Sequence, residues 1–135
     1  MKKLLILLLL MFLTLPFMPK ANATDYYVDS SAQNDSGDGS QNSPWKTIKH
    51  ALQNASAPAT INVAAGTYDT TNGETFPLNM KNNVSLKGAD RNTTIIDAKQ
   101  TPKRNAISFV SLGAGESIEK FTIKNGYTTG SARDA

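Results

Sequence analysis

The sequence predicts a mainly β fold: the opening coils of a right-handed parallel β-helix, preceded by one amphipathic capping helix. Three observations point there. From Thr60 onward, apolar residues alternate with polar ones in short bursts bounded by Gly, Asn, Asp and Pro. Several bursts share an outline, as repeats do. Just before the first of them lies a single stripe of apolar residues at spacings of three and four, the signature of one helix face.

The first segment stands outside any fold. Lys2 and Lys3 give a positive start, Leu4 to Leu13 is an unbroken apolar run, and Ala21-Asn22-Ala23 places small residues at a cleavage site. That is the three-part pattern of a secretory signal peptide, predicted over residues 1–23. Leu4 to Met18 is short for a membrane anchor, since roughly 20 apolar residues are needed to span the hydrocarbon. The product is expected outside the cytoplasm, secreted or periplasmic, with no membrane attachment after cleavage. Lys2, Lys3 and Lys20 leave with the signal, so the 14 basic residues fall to 11, matching the 11 acidic ones. A neutral chain without a clustered basic surface gives no support to nucleic-acid binding. It has no cysteine, so burial and backbone pairing must hold it together.

Residues 24–135 then read as one domain. Thr24 to Asp29 (TDYYVD) predicts a strand, with aromatic and β-branched residues ahead of a polar stretch. Ser30 to Ser43 is an exposed loop of Ser, Asn, Asp, Gln and Gly. Ser43 and Pro44 fit the N-cap and first position of a helix. Trp45, Ile48, Leu52 and Ala55 line its apolar face, and it should end by Pro58. Trp45, Ile48 and Leu52 are the expected structural cap, covering the cross-section that an open first coil leaves exposed. His50, the one histidine, is expected on the helix surface.

The bursts are Ile61-Asn62-Val63, Phe76-Pro77-Leu78, Val84-Ser85-Leu86, Thr94-Ile95-Ile96, Ile107-Ser108-Phe109 and Phe121-Thr122-Ile123. Inward residues of stacked strands should form apolar columns, with Asn62, Ser85 and Thr122 facing water, and turns falling at Gly and Asn. Two registers compete. Ile61, Val84 and Ile107 are 23 residues apart, whereas the best echo of Val84-Ser85-Leu86-Lys87-Gly88 is Phe121-Thr122-Ile123-Lys124-Asn125-Gly126, 37 residues on. The longer register is preferred, with Thr94 to Ala98 and Ala106 to Ser111 as the other strands of one coil. Solenoids need several repeats and a terminal cap. Two or three coils without a closing element predict a fragment of a longer chain.

Taken together, Tyr26-Tyr27-Val28-Asp29, the Asn34 to Ser40 loop, Ser43-Pro44-Trp45-Lys46-Thr47-Ile48 and Ile61 to Tyr68 resemble the start of secreted pectate-lyase-like β-helix proteins. Gly73 to Leu78 and Val84 to Ala89 look most like an N-terminal domain of unknown function found on such proteins. The resemblance spans about Thr24 to Gly126 and implies the β-helix and a link to carbohydrate. It carries over no catalytic residue, because in the lyases those residues and the calcium ligands sit on later coils.

Each candidate constellation has a plainer reading. Asn34-Asp35-Ser36-Gly37-Asp38-Gly39 starts like a calcium loop, with Asp35 and Asp38 as metal candidates, but the twelfth position from Asn34 is Trp45 rather than Glu. A turn-forming loop serves as well. Calcium is the one cofactor candidate. Lys87 and Lys124 stand at matched positions of the echoed strand, followed in the first case by Asp90 and Arg91. Such a face suits an acidic sugar, and it also suits a solvated exterior. No stacked carboxylate cluster supports catalysis. The expected function is therefore a secreted, non-catalytic β-helix domain of a surface or polysaccharide-associated protein. The alternatives are the N-terminal fragment of a calcium-dependent polysaccharide lyase and a structural adhesin repeat.

Overall fold

The computed structural model describes residues 21–99, 106–109 and 115–126. The predicted signal segment, save its last three residues, lies outside them. Among the described residues the chain is mainly β, with parallel strands and one short α-helix. Its elements are β1 (Thr24–Val28), α1 (Ile48–Asn54), β2 (Ala59–Val63), β3 (Gly66–Tyr68), β4 (Leu78–Met80), β5 (Val84–Gly88), β6 (Thr94–Asp97), β7 (Ile107–Phe109), β8 (Ile118–Glu119) and β9 (Thr122–Lys124). A 3-10 turn at Thr70–Asn72 separates β3 from β4.

The strands form three sheets, ordered β1-β2-β5-β8, β3-β6-β9 and β4-β7, and every pairing between them is parallel. From β2 the chain visits the three sheets in turn, returns to the first at β5, and repeats the circuit to β8 and β9. Parallel neighbours need such a crossover, because a tight hairpin joins only antiparallel strands.

Burial follows the alternation in the sequence. Ala59, Ile61 and Val63 are buried on β2, as are Val84, Leu86 and Gly88 on β5. Register stacks them into columns. One runs Tyr26, Ile61, Leu86, Ile118; another runs Val28, Val63, Gly88. On the second sheet Tyr68, Ile96 and Ile123 align. Tyr68 and Ile96 are fully buried, whereas Ile123, on the last strand, is 47% exposed. Gly88 ends its column because the chain crosses there: a Cβ would lie 2.3 Å from the Lys120 carbonyl oxygen. Gly88→Ala should therefore cost about 1–3 kcal/mol, as overpacking does, read as a lower urea midpoint at unchanged m-value.

The register corrects both spacings expected from sequence. Ile61 stacks on Leu86, not Val84, and Phe121-Thr122-Ile123 leads into β9, which pairs with β6 rather than β5. The strand that returns to β5 is β8, Ile118–Glu119, too short to stand out by composition. Thr94–Asp97 and Ile107–Phe109 do follow β5 on the other two sheets, as proposed. Gly66-Thr67-Tyr68, the end of the Ile61 to Tyr68 segment, forms strand β3. Left-handed backbone occurs at Asn83 and Asn125, as predicted for Asn turns, and also at Lys99 and Lys120.

The helix is the second correction. It begins at Ile48, with Thr47 rather than Ser43 as its N-cap. Ser43 instead bridges Ser40, and Trp45 bridges Val28 in parallel. Trp45 N donates to the Tyr27 carbonyl at 3.1 Å and Asp29 N donates to the Trp45 carbonyl at 2.8 Å. Backbone committed to that ladder cannot also be helical. Trp45 is thus buried, but on the extended segment before the helix. Ile48, Ala51 and Leu52 are buried on α1, which packs on β4, β1 and β2. The open edge of β1 is covered by the loop, since Tyr27 N donates to the Gly39 carbonyl.

Candidate functional site

The first sheet presents its polar positions outward. Because β1, β2 and β5 run parallel and in register, Tyr27, Asn62 and Lys87 stand side by side, with Glu119 next in the row. Adjacent members are one interstrand step apart, about 4.8 Å. Beside this row the side chains shrink to Ala64 and Ala89, and a groove of about 350 Å³ opens. Tyr27 and Pro44 wall one end, while Lys87 and Lys120 line the other. Asn62 and Gln41 also line it and offer amide groups.

The charges here are exposed and lightly held. Lys87 Nζ is 3.9 Å from Glu119 Oε1, both side chains being about half exposed, so the pair contributes little to stability. Lys120 has no ion-pair partner among the described residues. Asp29 lines the aromatic end, but its Oδ1 accepts from Ser31 N at 2.8 Å and Ser31 Oγ at 2.7 Å. What the arrangement offers is an aromatic face, amides and two cations along a shallow trough.

A second groove, between α1 and β4, differs in kind. Its two cations are already engaged, since Lys49 Nζ donates to the Pro77 carbonyl at 2.9 Å and Lys81 Nζ to the Ala55 carbonyl at 2.7 Å.

The residues singled out from sequence scatter. Of Lys87, Lys124, Asp90 and Arg91, only Lys87 reaches the groove. Lys124 lies on β9, in a different sheet, so it does not match Lys87 in position; its Nζ is 3.4 Å from Asp97 Oδ2. Asp97 also accepts from Asn125 Nδ2 and Lys99 N. Burial would raise the Asp97 carboxyl, but these donors and Lys124 outweigh it and hold it below the ordinary range. Asp90 organises the turn before β6, accepting from Asn92 N on Oδ1 and from Thr94 N on its carbonyl. The Arg91 carbonyl accepts from Thr122 Oγ1 at 2.7 Å.

Asp35 and Asp38 act on backbone. Asp35 Oδ1 accepts from Lys46 N at 2.7 Å and Thr47 N at 2.8 Å, and Oδ2 accepts from Thr47 Oγ1 at 2.9 Å. Asp38 Oδ1 accepts from Ser40 N. Among the described residues no three His, Cys, Asp or Glu side chains converge as a metal group.

Glu74 completes what Asp35 starts. Its two carboxylate oxygens accept from Ile48 N and Lys49 N, and Thr47 Oγ1 accepts from His50 N. Five successive amides, from 46 to 50, are thereby satisfied by side chains, which settles the free donors of a helix start. Burial pushes Glu74 up to about 7 against the pull of those two amides, with Asp35 adding to the rise and Lys49 opposing it. Glu74 lies in the Gly73 to Leu78 segment that carries the resemblance, but its role was not read from the sequence, because nothing local points to its partner 26 residues earlier.

The span of these features fits one family. The chain belongs to the DUF1565 family. The model of that family, described as a protein of unknown function, matches residues 31–129. No curated protein and no solved structure matches the chain. The DUF1565 span takes in Asp35, Trp45, Glu74 and the basic end of the groove, while Tyr27, on β1, precedes it. Tyr27 and Asn62, in the row, and Lys120, after β8, were not found by sequence reasoning, because the parallel register and the crossing chain bring them together. The signal was there in the outward position of each strand, once β1, β2 and β5 are aligned.

Proposed function

We propose that this chain is an exported, non-catalytic domain built as the opening coils of a right-handed parallel β-helix, and that it associates with polysaccharide. The twofold circuit through three parallel sheets supports the β-helix, and the charged start, apolar core and Ala-x-Ala end of residues 1–23 support export. One observation carries the functional reading: an open trough on a flat sheet face, with Tyr27 at one end and amide and ammonium groups along it. Sugar chains are bound by such surfaces, since an aromatic face covers the apolar side of a sugar ring while amides and cations meet its oxygens. Among the described residues the trough's lining holds one carboxylate, Asp29, and no pair of carboxylates to act as general acid and base, which supports binding rather than cleavage.

Affinity electrophoresis of the full chain through gels containing soluble polysaccharides tests this. Retardation is expected in at least one polysaccharide gel, and it should be largely lost in Tyr27→Ala. Unretarded migration in every gel would refute the association. Release of unsaturated uronate, with or without calcium, would refute the non-catalytic assignment.

A further inference from the structure

We propose that Glu74 is a proton-operated latch: protonated, it holds the start of α1 and, through Thr47, the loop that walls the groove; ionised, it lets that unit open. The latch would regulate the groove read above as a polysaccharide site, and in that respect it rests on that reading. The Glu74 side chain is 2% exposed, and its oxygens accept from the Ile48 and Lys49 amides. Among the described residues no cation pairs with it; Lys49, next to it on α1, donates its Nζ to the Pro77 carbonyl at 2.9 Å. A second carboxylate, the half-buried Asp35, reaches the same helix start and takes Lys46 N and Thr47 N. A buried carboxylate with no counter-ion and a like charge beside it is costly to ionise. Glu74, the deeper of the two, is the one that takes the proton.

The other titratable groups around it are otherwise engaged. Tyr68, on β3, is pushed up to about 12, chiefly by burial. Asp69, in the preceding turn, pairs with Lys99 Nζ at 2.8 Å. His50 sets its ring edge-on to Trp45, 5.4 Å between centroids. From the helix start, contiguous bonds reach the groove. Asp35 ties Lys46 and Thr47 to the loop, Trp45 Nε1 holds the Gly37 carbonyl, and the Gly39 carbonyl accepts from Tyr27 N. Gln41 and Pro44, on the same loop, line the groove. Opening this unit would remove one wall of the groove and bare the edge of β1. A ligand seated on that wall must in turn favour the protonated acid, since such coupling is reciprocal.

The direction follows from the carboxyl's two environments. Latched, it titrates near about 7; opened to water, it returns to the ordinary 4.5, so low pH favours the latched state. The opening constant should rise about five- to tenfold per pH unit between pH 5 and 7 and level off above. Amide hydrogen exchange of the full chain, wild type against Glu74→Gln, reads this from pH 5 to 8 once intrinsic exchange rates are divided out. The amides of Lys46 to Lys49 should exchange faster than Ile61 N, on the middle strand of the first sheet, and follow that pH dependence. Glu74→Gln should abolish the dependence, while His50→Gln should keep it. Helix-start amides no faster than Ile61 N would mean opening only with the whole domain and would overturn the latch. Equal pH dependence in wild type and Glu74→Gln would overturn it too. Should Glu74→Gln fail to fold, the carboxyl carbon shift of Glu74 in wild type decides: a midpoint of about 7 is expected, and one in the ordinary glutamate range sinks the idea. Affinity electrophoresis at pH 5.5 and 8 tests the link to the groove. A polysaccharide that retards wild type at pH 5.5 should retard it less at pH 8, and Glu74→Gln equally at both. Equal retardation of wild type at both would refute the link. Absence of retardation in every gel would count against the polysaccharide reading, with the latch then judged by exchange alone.

Discussion

Trp45→Ala should lower the unfolding free energy by about 3–5 kcal/mol, the usual loss for a large aromatic removed from a core. Three interactions go together. The indole is 5% exposed, stacks on Tyr26 at 5.2 Å with an interplanar angle of 18°, and donates from Nε1 to the Gly37 carbonyl at 2.7 Å. Gly39 lies so close that a Cβ there would sit within 2.7 Å of the ring, and its φ of +78 requires glycine as well. Trp45 therefore fastens the polar loop over the edge of β1. Its removal should also speed hydrogen exchange at Tyr27 N, whose acceptor is the Gly39 carbonyl. Trp45→Phe keeps a stacking surface but leaves the Gly37 carbonyl without its donor, so a smaller loss is expected. Urea denaturation of the three proteins gives the order; a Trp45→Ala midpoint equal to wild type would contradict the anchoring role.

Glu74→Ala should cost about 2–4 kcal/mol, because it strands the Ile48 and Lys49 amides beside a cavity, each unmet buried donor costing about 1–3 kcal/mol. The carboxylate also makes stability depend on pH. Its folded value, about 7, lies above the ordinary 4.5. A raised acid favours folding when protonated, so this contribution is fully present below about pH 4.5 and is lost as pH rises through about 7. Its upper bound is about 3 kcal/mol, from the rise from 4.5 to about 7 at about 1.36 kcal/mol per pH step. Glu74→Gln removes the titrating proton. The stability difference between wild type and Glu74→Gln should therefore change by up to that amount between pH 4.5 and 7.5, with wild type losing relative to the variant as pH rises. A difference that stays constant over that range would show that Glu74 does not titrate there.

Much of the fold was legible because alternation is local. Ala59 to Val63 and Val84 to Gly88 announce strands through period-two burial, and both are buried in that pattern. Of the predicted apolar stripe, Ile48 and Leu52 are buried on α1 beside Ala51, while Trp45 lies before the helix and Ala55 caps its end. The misplaced helix start has a physical origin. Ser43-Pro44 satisfies local capping rules, yet the Trp45 backbone gains two hydrogen bonds from β1, and Asp35 takes the next two amides. Non-local bonds outweighed a local preference worth about 1 kcal/mol. The register failed for the related reason that loops between strands vary in length. Ala59 pairs with Val84 while Leu86 pairs with Ile118, so no fixed repeat exists to be found.

The candidate site was legible only in part. Lys87 was chosen as an outward cation and does line the groove, but the partners assigned to it, Lys124, Asp90 and Arg91, belong to another sheet and to a turn. The true neighbours of Lys87 are Asn62 and Tyr27, 25 and 60 residues earlier in the chain. The sequence alone determined most of the elements, since side-chain periodicity and turn chemistry act over a few residues. Only the tertiary structure decided which strands lie side by side, where Asp35 and Glu74 spend their oxygens, and hence what the outer face can hold. Parallel pairing joins residues a whole circuit apart, and the hydrogen bonds that choose its register are made between backbone groups that are alike in every residue but proline.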